Sequence, residues 1–221
     1  MHLDTNAVLW SAPERERAGR PLLLLLHGKG ASESDLFSLS PLLPLEPAIA
    51  SVRAPLPDGS GFSWFDHAHY VDNGPTLDHA DAAGAAVLEW LGEQHYSSVN
   101  VLGFSQGAAM ALQLVRMSPE TFGCAVALSG YSVQGTHPGD AALETLRPPV
   151  FWGRGTEDTV IAPGAIERTL EWLPAHSTLT ERVYEGLGHG LNASEVTDVG
   201  DFLRGTANRP KGDGQARPAQ G

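Results

Sequence analysis

Apolar residues along this chain cluster into short runs, and longer stretches with helical spacing lie between them. The runs Leu22–Leu26, Ile49–Ala54, Val99–Leu102, Cys124–Leu128 and Pro149–Gly153 have boundaries rich in Gly, Pro and polar residues. Runs of that length suit buried parallel strands. Leu179–Tyr184 reads as the last strand and Val8–Trp10 as a short edge strand. Over Asp78–Gln94 the residues Ala83, Val87, Trp90 and Leu91 recur at helical spacing. Gln106–Met117 is apolar almost all round, as in a helix packed deep against a sheet. Ala165–Leu173 predicts a helix closed by Pro174, and Asn192–Leu203 a terminal helix capped near Asn192 or Ser194. Ser32 and Asp35 have capping-box spacing ahead of Leu36-Phe37, which predicts a helix start. Strands alternating with helices predict an α/β fold with a mostly parallel central sheet and helices on both faces.

In such sheets, sites form outside the carboxyl ends of the strands. The segments His27–Gly30, Arg154–Thr159 and Glu185–Gly190 each follow a predicted strand, as does the loop at Ser105, so all are expected at one edge. Pro13–Arg20 reads as a charged turn. Pro55–Leu77 is a long loop, and Phe62, Trp64, Phe65 and Tyr70 in it argue for order. Tyr131–Arg147 has no strong period and is the largest unassigned stretch after Ser105, which leaves no room for a large lid domain. Gly205–Gly221 has almost no apolar content and is expected to be disordered. The reading is one α/β domain over residues 1–204 and a tail over 205–221, with no internal repeat.

At 221 residues and 42% hydrophobic content the chain can bury one sizeable core. Its formal net charge of −12 argues against nucleic acid and anionic membrane surfaces as partners. The longest early apolar run, Leu22–Leu26, is too short to span a bilayer. Met1-His2-Leu3-Asp4 does not read as a signal peptide. The single cysteine, Cys124, lies in an apolar run and reads as a packing residue. Together these features predict a cytoplasmic protein.

The chemistry centres on Gly103-Phe104-Ser105-Gln106-Gly107, set between a predicted strand and a predicted helix. That is the context of a nucleophile elbow, in which a serine hydroxyl stands free on a sharp turn. Serine is a weak nucleophile until a base takes its proton, and the base needs an orienting acid. Downstream, His189 in Gly186-Leu187-Gly188-His189-Gly190 follows the last strand on a loop that its glycines keep adaptable. His137 and His176 are the alternatives, and both read as surface residues. For the acid, Asp158 in Gly155-Thr156-Glu157-Asp158 follows a strand. Its shorter side chain favours it over the adjacent Glu157, and Asp140 has no strand before it. The oxyanion hole needs two N–H donors. Gln106, opening the helix, supplies one, and Lys29, flanked by Gly28 and Gly30, supplies the other. His27 reads as a residue that fixes this loop by hydrogen bonds.

With these residues in place the chain resembles the phospholipase/carboxylesterase family of small serine hydrolases. The matching stretches are Leu26-His27-Gly28-Lys29-Gly30 with Glu33, Asp35, Leu36 and Phe37, then Arg53-Ala54-Pro55 and Trp64-Phe65-Asp66. They continue with Gly103–Ala108, Leu128-Ser129-Gly130, Gly155 with Asp158, and Gly188-His189. The resemblance implies the α/β-hydrolase fold, a Ser105–His189–Asp158 triad and oxyanion donors at Lys29 and Gln106. Two departures stand out. The acid loop runs Ile161-Ala162-Pro163 where the family usually has Val-Pro. Lys29 takes a position often held by Leu or an aromatic, where its side chain would bear on acyl or alcohol preference.

The expected activity is hydrolysis of carboxylic esters with short-to-medium acyl chains, on a small-molecule substrate, by a monomer or homodimer. Thioesterase or lysophospholipase activity with the same triad is the alternative, and a non-catalytic binding module is a further one. Trp64 and Phe65 have two readings, lining the acyl pocket as substrate-binding residues or anchoring the long loop. His67 and His69, with Asp66 and Asp72 nearby, have a metal-like pattern but read as a solvated loop. No metal and no organic cofactor is called for.

Overall fold

The structure, a computed structural model, describes residues 1–66, 70–71 and 74–207. In chain order the elements are β1 (Leu9–Trp10), β2 (Leu22–Leu26), α1 (Ser34–Phe37), β3 (Ala48–Val52), β4 (Leu56–Asp58), β5 (Gly61–Ser63), β6 (Tyr70–Val71), β7 (Gly74–Pro75) and α2 (Leu77–Gly92). They continue with β8 (Val99–Phe104), α3 (Gln106–Met117), β9 (Phe122–Leu128), α4 (Asp140–Leu146), β10 (Pro149–Gly155), α5 (Pro163–His176), β11 (Thr178–Tyr184) and α6 (Ala193–Ala207). A seven-stranded sheet runs in the order β1-β3-β2-β8-β9-β10-β11. Only the edge strand β1 is antiparallel to its neighbour. This is the mostly parallel sheet that the alternation of strand and helix predicts, in the α/β-hydrolase arrangement that the resemblance implies.

The five leucines of β2 show why the runs read as buried strands. Leu22, Leu24 and Leu26 join the core under α2, α3, α4 and α5, while Leu23 and Leu25 join the core under α1 and α6. Side chains alternate across a strand, so a strand covered on both faces must be apolar throughout. Helix α3 is buried from Gln106 to Arg116 because it lies between the sheet and α2.

Several boundaries differ from expectation, each for a local reason. α1 is one turn only, and the Ser32 hydroxyl bonds to Ser34 instead of closing a capping box with Asp35. Pro174 lies inside α5, whose last turn is held by the Ser177 hydroxyl on the Leu173 carbonyl and by the His176 ring on the Trp172 carbonyl. The aperiodic stretch before β10 contains α4, tied down by the buried Arg116, which donates to Asp140 and to the carbonyls of Val133 and Gly135. Asn192 caps α6 by accepting the Glu195 N–H at 2.8 Å. That helix runs on to Ala207, past the expected domain end at 204, and residues 208–221 of the expected tail lie outside the described residues. His67, His69 and Asp72 of the metal-like pattern also lie outside them. Among the described residues no helix is long and apolar enough to cross a membrane.

Candidate active site

Ser105 sits between β8 and α3 with φ 55° and ψ −117°, a conformation an L-residue adopts only at a cost. The turn is tight because α3 begins at the very next residue while lying against β2. A Cβ at Gly103 would run into the Gly107 carbonyl, and one at Gly107 into the carbonyl of Leu26. Those contacts are the physical reason for glycine two residues either side of the serine. The Ser105 N–H donates to the Leu128 carbonyl at 2.8 Å, which locks the turn onto β9.

The His189 ring lies with Nε2 2.9 Å from Ser105 Oγ and Nδ1 2.8 Å from Asp158 Oδ2. The other Asp158 oxygen accepts the N–H groups of Val160 and Ile161, at 2.9 and 3.1 Å. These bonds fix the carboxylate, so the Ile161-Ala162-Pro163 departure leaves it in reach, with Pro163 opening α5. His189 and Asp158 come from the loops after β11 and β10, adjacent parallel strands. The Glu157 N–H bonds to the Leu187 carbonyl at 2.9 Å and ties the two loops together. Phe104 packs against the His189 ring with 5.1 Å between centroids.

On the other side of Ser105 the His27–Ala31 loop comes close: a Cβ at Gly28 would lie 3.6 Å from Ser105 Cβ and 3.1 Å from the Phe104 ring. Lys29 follows directly, and among the described residues its N–H takes no hydrogen bond. Gln106 N–H opens α3, where the helix dipole favours negative charge. His27 is fully buried, with Nδ1 2.7 Å from the Gly28 carbonyl and Nε2 accepting the Ala54 N–H at 3.0 Å. Those partners make it a neutral Nδ1–H imidazole, and burial holds its pKa below the usual value. Glu33 takes a bidentate bond from Arg53 at 2.5 and 2.6 Å, which holds its carboxyl below the usual range. Lys29 Nζ lies 3.0 Å from Asp58 Oδ2 on β4.

The alternatives weighed from sequence all have other occupations. Glu157 is exposed, and Asp140 is paired with Arg116. His137 accepts the Gly139 N–H, and His176 stacks on Trp172. Trp64 and Phe65 are buried, at 0% and 1% exposure, which leaves no surface for a substrate to touch. Trp64 donates its indole N–H to the His27 carbonyl at 2.8 Å and its backbone N–H to Gln106 Oε1 at 2.7 Å. Gln106 Nε2 donates to the Phe65 carbonyl at 2.8 Å. The substrate-binding expectation for this pair therefore gives way to the anchoring one. The amide of Gln106 is the residue feature that sequence reasoning missed. A buried amide at the start of an apolar helix was its signal, since such a group must find partners.

Behind the acid loop, Glu195 of α6 is fully buried against Gly153 of β10. Neither of its carboxylate oxygens has a hydrogen-bond partner among the described residues. Burial, helped by nearby Asp198, pushes its carboxyl up to about 7.

Residues 11–207 match the sequence profile of the phospholipase/carboxylesterase family. The chain is 26% identical to carboxylesterase SOBER1 of Arabidopsis thaliana, over 84% of this chain and 90% of that one. It is 25% identical to acyl-protein thioesterase 1 of Kluyveromyces lactis, over 91% of this chain and 97% of that one. Among solved structures, a carboxylesterase from Mesorhizobium loti superposes with a TM-score of 0.75 at 21% identity, covering 92% and 98% of the two chains. That likeness speaks to the fold.

Proposed function

The chain belongs to the phospholipase/carboxylesterase family and is a carboxylic ester hydrolase; from that premise we propose that it works through an acyl-enzyme on Ser105. The observation that carries the reading is the unbroken hydrogen-bond line from Ser105 Oγ through both nitrogens of His189 to Asp158. Ser105 Oγ attacks the ester carbonyl while His189 Nε2 takes its proton. Asp158 keeps the imidazole in the Nδ1–H tautomer and stabilises the imidazolium. The N–H groups of Lys29 and Gln106 receive the carbonyl oxygen as it becomes an oxyanion. His189 then returns the proton to the departing alcohol. A water, deprotonated by the same nitrogen, attacks the carbonyl carbon of the acyl-Ser105 ester, and the tetrahedral species collapses to the carboxylic acid as His189 hands that proton to the departing Ser105 Oγ.

The acyl chain is short to medium in this reading. Its support is the segment between β9 and β10, which holds only the seven-residue α4 and is pinned by Arg116. A thioester substrate is the second reading, favoured by the match to acyl-protein thioesterase 1.

Labelling with a fluorophosphonate, followed by intact mass and peptide mapping, tests the nucleophile. One adduct on Ser105, absent from Ser105→Ala, is expected. A folded protein that takes no label would overturn the mechanism. Turnover of oxygen esters against thioesters of matched chain length then decides between the two substrate readings.

A further inference from the structure

We propose that the Lys29 side chain is a positioning residue, whose ion pair with Asp58 clamps the oxyanion loop against the β4–β5 hairpin and thereby aims the Lys29 N–H. The proposal rests on the reading of that N–H as an oxyanion donor. The hairpin and the loop are already joined by main chain on the far side of Lys29. Gly30 N–H donates to the Phe62 carbonyl at 2.9 Å, and Phe62 N–H donates to the Ala31 carbonyl at 2.8 Å. The peptide that carries the Lys29 N–H is held at its other end, where the Gly28 carbonyl accepts from His27 Nδ1 at 2.7 Å and from the Ala31 N–H at 3.3 Å, while among the described residues the Lys29 N–H itself makes no hydrogen bond. The ammonium of Lys29, 3.0 Å from Asp58 Oδ2, adds a second hold from the side chain of the residue whose N–H must point correctly, and joins it to the hairpin. Asp58 is braced for this task, since the Ser63 hydroxyl from β5 donates to the same oxygen.

The side chains of Lys29 and Asp58 are 38% and 31% exposed, so the pair contributes little to global stability. Its effect belongs in the rate, because an oxyanion donor matters most when negative charge develops on the carbonyl oxygen. The alternative use of the ammonium is as a counter-charge for anionic substrates. Asp58 already neutralises it, which argues against that use.

The test measures kcat and KM for Lys29→Met, Asp58→Asn, the double variant and Lys29→Arg. Two substrates are used, neutral p-nitrophenyl acetate and mono-p-nitrophenyl succinate, whose acyl end carries a carboxylate. Lys29→Met and Asp58→Asn should each lower kcat on both esters by about three- to tenfold, with KM little changed. The double variant should be no worse than either single one, and Lys29→Arg should restore most of the rate. Binding of an alkylboronic acid, a tetrahedral anion on serine, should weaken in parallel with kcat. An unchanged kcat, an additive double variant, or a loss confined to the succinate ester overturns the clamp while leaving the acyl-enzyme reading intact. Turnover that survives Ser105→Ala overturns that reading, and the clamp with it.

Discussion

On the side of Ser105 that carries Lys29 and Gln106, buried side chains are bonded to backbone at almost every step. His27, Trp64 and Gln106 together make five such bonds, all to loop main chain. On the side that carries Asp158 and His189, the loops rely chiefly on their own main chain, on the Thr156 hydroxyl and on Asp158 itself. The difference fits the two tasks. Oxyanion donors help only if they need no rearrangement when charge appears, so their frame is fixed in advance. A general base gains and loses a proton each turnover, and its partner has to answer that change electrostatically.

The largest effect should come from the side of Asp158 and His189. Asp158→Asn keeps the bonds to Val160 and Ile161 available but removes the charge that faces His189 Nδ1. It is expected to lower kcat by about ten-thousand-fold, the scale seen when a triad acid loses its charge. The urea midpoint should move little. A loss below about tenfold would mean that another acid orients the imidazole.

On the side held by buried side chains the same kind of change should strike stability first. Gln106→Ala removes the acceptor of the Trp64 N–H and a donor to the Phe65 carbonyl, in a site only 3% exposed. Urea unfolding should show a loss of about 1–3 kcal/mol, the cost of a buried donor left without its acceptor. Activity should fall less steeply than in Asp158→Asn, because the Gln106 N–H stays in place. If the two variants lost activity equally with no change in stability, the contrast between the sides would be wrong.

That contrast was half legible in the sequence. Ser105, His189 and Asp158 stand on segments that follow strands, so chain order and turn chemistry place them at one sheet edge. The strand β2 and the helix α3 could be read to their last residue because β2 is apolar throughout and α3 almost all round. The frame on the other side was hidden, since it joins residues far apart in sequence: His27 with Ala54, and Gln106 with Trp64 and Phe65. Local pattern carries no signal for such pairs, and an aromatic in a loop reads equally as pocket wall or anchor. Pro174 misled for a related reason: proline ends a helix by local rules, but Ser177 and His176 side chains hold the last carbonyls here.

The two sides should also respond to pH with opposite sign. Glu195 lies behind the acid loop with its carboxyl pushed up to about 7, from an ordinary value of 4.5. Well below 4.5 it is protonated in both folded and unfolded chains and adds nothing to the pH dependence. As pH rises from 4.5 to about 7 the unfolded chain ionises first, so the folded state loses stability relative to it. Glu195→Gln should remove that decline and gain on the order of 2 kcal/mol at pH 8. Parallel pH–stability curves for the two proteins would show instead that the buried carboxyl is solvated by water.

Glu33 gives the smaller and reversed effect on the oxyanion side. Its bidentate bond from Arg53 lowers the folded pKa, so its contribution is complete above the ordinary value of 4.5 and disappears as pH falls through the folded value. Arg53 is partly exposed, which keeps the pair's worth to about 1 kcal/mol. The check is the urea midpoint from pH 6 to pH 3 for the native chain, Glu33→Gln and Arg53→Met. The native protein should lead both variants at pH 6, and the lead should shrink as the pH falls below 4.5, in the acid range where Glu195 no longer contributes. A lead that stays constant as the pH falls below 4.5 would mean that packing of the Arg53 side chain on Phe62, 4.5 Å from ring centre to guanidinium, and not the charge pair, is what secures this edge of the oxyanion frame.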